Sequence, residues 1–223
     1  MPAFAGMTAE CELTLQNRVD PFGELFATPA RGLFMGNRGG RIHADDRTLT
    51  KRRWVSPQWI CCRLEFNDRH RTVWGDSYTE LFFLDEVTAQ AAGHRPCFEC
   101  RRRDAETFAD LWARTRGLPV RAMAPDMDKV LQAERLDGHA KRRHRRKIDR
   151  LPDGAMIALE GEGAFAVRDG GLLRWTPSGY DARRPLPRDS VDVLTPPAIL
   201  AVLSAGYRQQ WHPSADSIIS SRP

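Results

Sequence analysis

Apolar positions along this chain follow two different periods, and the change of period marks its organisation. Between residues 22 and 40, Phe22, Leu25, Phe26, Leu33, Phe34 and Met35 stand among glycines and prolines, a pattern of short strands joined by turns. Gly36-Asn37-Arg38-Gly39-Gly40 lacks the Lys-Ser/Thr ending of a Walker phosphate loop and reads as a cationic hairpin turn. Residues 54–66 read as a strand through Trp59, Ile60, Cys61, Cys62 and Leu64, stopped by the turn signal Asn67-Asp68. Strands are also expected over 71–74 and 78–84, the second carrying Leu81-Phe82-Phe83-Leu84 into a core.

The period then lengthens. Asp85 and Glu86 stand where acidic groups complement the positive end of a helix dipole, and Gly93 closes that short helix. Ala105, Phe108, Leu111 and Trp112 line one face of a helix over 104–116, ended by Gly117 and Pro119. Residues 126–150 are polar and helix-prone, and they hold Lys141-Arg142-Arg143-His144-Arg145-Arg146-Lys147. Past residue 151 the pattern shortens again to strands over 155–159, 164–167, 172–175 and 191–194, before a helix over 198–205. Trp175, Tyr180, Tyr207 and Trp211 read as core or rim packing rather than as a base-stacking surface.

These elements predict an α+β protein: a small antiparallel sheet with helices around a metal site, then a basic helix, then a small β-rich barrel-like or sandwich-like domain. The boundaries expected are a disordered or mis-started N-terminus over 1–17, an α+β metal-binding domain over 18–118, a basic helical linker over 119–150, a β-rich domain over 151–215 and a disordered tail over 216–223. With 223 residues and 41% hydrophobic content the chain can bury a real core. Five cysteines, an odd number, favour reduced thiols with a metal or reactive role over a secreted disulfide framework, and so the cytoplasm. The sequence has no apolar run of about 18 residues, the length a membrane helix needs.

The chemistry concentrates at His94-Arg95-Pro96-Cys97-Phe98-Glu99-Cys100. Two residues between the thiols let both sulfurs reach one tetrahedral ion from a single turn, and Pro96 stiffens the approach. A thioredoxin-like redox pair would follow a strand and open a helix in a βαβ unit, whereas an alanine-rich helix precedes this one. Zinc is therefore the expected cofactor, with Cys97 and Cys100 as half of its ligands. The net charge of +5 is modest but clustered. Arg95, Arg101, Arg102 and Arg103 flank the cysteines, and Lys141, Arg142, Arg143, Arg145, Arg146 and Lys147 form a second cluster. Adjacent like charges repel along a helix, so a polyanion is the expected partner, contacted through its phosphates.

Residues 80–100, running from an apolar strand through an alanine-rich helix to Gly-His-Arg-Pro-Cys-x-x-Cys, resemble the Ada-type metal-binding domain, and the likeness extends over about residues 54–103. The resemblance implies zinc held by Cys97 and Cys100, and DNA rather than RNA as the nucleic acid. It places Cys62 on the first of two upstream cysteines and Phe66 on the second, so one thiol of that set is missing. Cys62 becomes the third ligand and, by the same likeness, a candidate acceptor of a methyl group from a methylated DNA phosphate. Consecutive strand residues face opposite ways, so only one of Cys61 and Cys62 can serve the ion. Among Cys61, His43, His70 and Glu65, His43 is the choice for fourth ligand. His94 takes an aromatic position of the motif and is expected to pack. Three functions follow: a zinc protein that binds nucleic acid, a stoichiometric methyl acceptor in DNA repair, or a structural zinc module for protein contacts.

Overall fold

A computed structural model of the chain describes residues 14–68 and 72–220. The expectations for residues 1–13, for Cys11 and for His70 fall outside the described residues. The first sheet is built from β1 (Arg18–Val19), β2 (Leu25–Phe26), β3 (Phe34–Arg38), β4 (Trp59–Arg63), β5 (Leu81–Phe83) and, after helix α1 (Glu86–Ala91), β6 (Arg95–Pro96). Its order is β2-β1-β5-β3-β4-β6. The sheet is mixed rather than antiparallel, because β1 runs parallel to β5 and β4 parallel to β6. The cause of the second parallel pair is α1, a helical crossover that carries the chain past β3 and β4 before it re-enters the sheet.

Local chemistry explains the elements. In β4, Trp59 and Cys61 are buried while Ile60 and Cys62 are only half-buried, the period-two alternation of a strand with one face in the core. Asp85 caps α1, its carboxylate accepting from the Thr88 amide at 2.8 Å, and every residue of the helix is buried. Helix α2 (Arg102–Thr115) buries Ala105, Phe108, Leu111 and Trp112 along one face, and α3 (Ala124–Arg135) buries Met127 and Leu131.

The basic segment departs from expectation. In place of a helix, residues 136–141 form a hairpin of β7 (Leu136–Asp137) and β8 (Ala140–Lys141), turning at Gly138 with φ of 59°. The remaining cations lie on β9 (His144–Lys147), and Ile148–Arg150 make one 3-10 turn. A helix would stack the like charges three and four apart. A strand sends them alternately to two sides, and the edge of a sheet leaves them in water.

The second sheet adds β10 (Met156–Leu159), β11 (Gly163–Arg168), β12 (Gly171–Thr176), β13 (Gly179–Pro185) and β14 (Ser190–Val193). Its order is β13-β12-β11-β10-β14-β9, all pairs antiparallel, with β13 and β9 at open edges. It does not close into a barrel, one of the two forms expected. Helix α4 (Pro197–Ser204) follows, and residues expected in the tail form α5 (Ser214–Ser220), which packs on β13.

Core clusters run across residue 151. One joins Phe108 and Trp112 of α2, Met127 and Leu131 of α3, and Ile199 and Val202 of α4. Another joins Val87 and Ala91 of α1 to Met156, Leu173 and Tyr180 of the second sheet. Among the described residues no helix is long and apolar enough to cross a membrane.

Candidate metal centre

The cluster is assembled by strand register. Parallel pairing sets Ile60 opposite Arg95 and Cys61 opposite Pro96, and the Cys97 amide donates to the Cys61 carbonyl at 3.0 Å. One residue further along each chain, Cys62 and Cys97 lie side by side. The chain then turns, the Arg101 amide donating to the Cys97 carbonyl at 3.0 Å, and this turn returns Cys100 to the same place before α2 begins. The sulfurs of Cys62, Cys97 and Cys100 all lie within 4.8 Å of one another. Tetrahedral zinc with bonds of ~2.3 Å sets sulfurs about 3.8 Å apart, so the spacing fits after small rotations.

The surroundings favour a thiolate at Cys97, while Cys62 and Cys100 are both pushed up. The Glu99 amide donates to Cys97 Sγ and the Arg63 amide to Cys100 Sγ, each at 3.4 Å. Hydrogen bonds from Cys100 and then Cys62 hold Cys97 well below the ordinary thiol range, and the same mutual bonding, from Cys100 and then Cys97, pushes Cys62 far up. Sulfurs close enough to compete for protons are close enough to share one cation. Cys97 is buried, whereas Cys62 and Cys100 are partly exposed. Among the described residues no further His, Cys, Asp or Glu joins the three. Three soft sulfur ligands this close together can hold a metal ion.

Cys61 belongs to the other face of β4. It is fully buried, accepts from Arg101 Nη1 at 3.4 Å, and burial pushes its thiol up, so it stays protonated. His43 is not brought to the cluster: Nδ1 meets Thr79 Oγ1 at 2.6 Å, Nε2 meets the Gly75 carbonyl at 3.0 Å, and the ring stacks on Trp74. Glu65 is exposed and also outside it. His94 packs between Trp59 and Phe83, with ring centroids at 5.0 and 4.7 Å. Burial first, then Arg38 and Arg135, hold it well below the ordinary imidazole range and therefore neutral.

The flanking arginines divide. Arg95 is buried in a bidentate pair with Asp128, at 2.8 and 2.7 Å. Arg101 is buried between Glu86 and Asp104, each at 2.9 Å, and its guanidinium lies over the Phe34 ring. Both tie the cysteine turn to neighbouring helices rather than facing outward. Arg102 and Arg103 are exposed at the start of α2. In the second cluster, Lys141 donates to the Ala91 carbonyl, Arg142 pairs with Asp137, and Arg143 and Arg145 flank Asp192 at 3.8 and 3.4 Å. Arg146 and Lys147 are exposed and make no ion pair with a described residue. Asp128 and Glu86 hold the site in shape and were not foreseen. Glu86 signals only a helix start in the sequence, and Asp128 is one acid among many in a polar segment.

No protein-family model, no curated protein and no solved structure matches the chain.

Proposed function

We propose that this is a cytoplasmic zinc protein that binds nucleic acid, with an Ada-like metal site and DNA as the favoured polymer. The observation that carries the reading is the convergence of Cys62, Cys97 and Cys100, from a strand and a turn far apart in sequence, to within 4.8 Å of one another, a spacing that one ion can bridge. Bound zinc would keep the three sulfurs ionised at neutral pH and pin β4 to the start of α2. The exposed cations support the nucleic-acid part. Arg102 and Arg103 lie beside the metal cluster, and Arg146 and Lys147 project from an edge strand. Charge on an edge strand also protects it from pairing with another chain, and salt dependence separates that role from phosphate binding.

The test takes the full chain, measures its zinc content, and titrates it into labelled duplex and single-stranded DNA by fluorescence anisotropy over a series of salt concentrations. The expected results are about one zinc per chain and affinity falling steeply with salt. With three to four phosphates neutralised, log K against log salt has a slope of roughly −3 on duplex DNA. A chain without zinc, or zinc-loaded chain whose DNA affinity is nil or indifferent to salt, overturns the proposal.

A further inference from the structure

We propose that the cleft between β9, the 3-10 turn and α4 binds one nucleotide unit, its phosphate against a group of cations and its base against an apolar floor. The cleft has a volume of about 420 Å³, within the roughly 300–1,000 Å³ of small-ligand pockets. Arg145, Arg146, Lys147 and Arg150 line one part of it, and no carboxylate is among its lining residues. Elsewhere on the described surface some exposed arginines meet acids, as Arg121 does Asp110 and Arg174 does Asp181, both at 2.7 Å. In the cleft, Arg146, Lys147 and Arg150 have no ion-pair partner among the described residues, while Arg145 shares Asp192 with Arg143. Cations held around one space with a single carboxylate shared between Arg145 and Arg143 repel one another, and an anion there relieves the repulsion.

The helix end does not supply the anion contact. The Ala198 amide at the start of α4 already donates to Glu134 Oε2 at 2.8 Å and Pro197 has no N–H to give, so the contact is assigned to the cationic side chains. The lining also holds Leu151, Pro152, Pro197, Leu200 and Ala201, which supply an apolar floor, together with Ser190 and Ser204. Leu200 is held in place by the core cluster of Ile148, Phe165 and Val191 beneath it. Inorganic phosphate would satisfy the cations and leave this floor wet, whereas a nucleotide covers both, since every base offers an apolar face. The assignment rests on the nucleic-acid reading for the polymer to which the nucleotide belongs.

Adenosine monophosphate and inorganic phosphate, titrated calorimetrically into the full chain at low salt, test it alongside anisotropy with a labelled single-stranded oligonucleotide. Adenosine monophosphate is expected to bind once per chain and more tightly than phosphate. Ser204→Glu, which sets a carboxylate at the exposed margin, and Arg150→Gln should each weaken it about tenfold, a loss of the size expected for one charge-assisted contact. Arg121→Gln should leave it unchanged. Unaltered melting temperatures confirm that the variants fold. Adenosine monophosphate that fails to bind, binds no better than phosphate, or is indifferent to both cleft variants overturns the nucleotide site. Oligonucleotide binding without mononucleotide binding sinks the cleft alone, and mononucleotide binding without oligonucleotide binding sinks the polymer reading alone.

Discussion

Cys61 and Cys62 are neighbours of identical chemistry with separate roles, because a strand sends consecutive side chains to opposite faces. Cys61 enters the core against Arg101, and Cys62 reaches the two sulfurs of the turn. Replacement by serine should therefore distinguish them. Cys62→Ser, Cys97→Ser and Cys100→Ser are expected to lose most bound zinc, while Cys61→Ser keeps it and loses roughly 1 kcal/mol of stability from the buried site. Elemental analysis with thermal melts checks this, and zinc retained by Cys62→Ser but lost by Cys61→Ser would reverse the assignment. The Cys97/Cys100 pair was legible because its ligand geometry is local. His43 was not, since Thr79 and Gly75, which occupy its ring nitrogens, lie more than 30 residues away in sequence.

Between elements, the least expected contact is a cationic stack. Arg38 of β3 and Arg135 of α3 lie on the Trp59 ring of β4, at 4.1 and 3.9 Å from its centroid. Lys141 of β8 reaches the same region, donating to the Ala91 carbonyl at the end of α1. Burial first, then Arg135 and Arg38, push its ammonium down to about 7 from 10.5, with Asp20 pulling the other way. Between those two pH values the unfolded chain binds a proton that the folded one does not, so this group adds stability as pH rises from about 7 to 10.5. Lys141→Met removes the linkage. Its melting temperature should exceed that of the unaltered chain most near pH 7, the gap narrowing toward pH 10, and a gap constant across pH would show that Lys141 stays charged in the fold. The strand form of residues 144–147 belongs to this scale too. Composition marks the segment as cationic, but only the free edge beside β14 lets it extend.

At the scale of the molecule, the two sheets are joined through the first residues of α1. Asp85 accepts from the Tyr180 hydroxyl at 2.8 Å and the His212 amide at 3.2 Å, and Glu86 from the Tyr207 hydroxyl at 2.7 Å and the Gln210 amide at 3.0 Å. With the core clusters shared as well, heating should produce one transition in which zinc release, tryptophan fluorescence and far-ultraviolet circular dichroism coincide. Two separated transitions would mean that the halves fold independently. The sequence by itself determined what short-range forces control: the strand alternation at Trp59 to Cys62, the acidic start of α1, the apolar face of α2 and the paired thiols of one turn. Tertiary structure alone decided the mixed direction of the first sheet, the open second sheet, the edge position of the basic strand and the burial of Arg95 and Arg101. Those outcomes hang on partners 33, 40 and 121 residues distant, as with Asp128 for Arg95, Cys61 for Arg101 and Glu86 for Tyr207. A residue's own chemistry states that such a partner is needed, and only the packed chain determines which one is within reach.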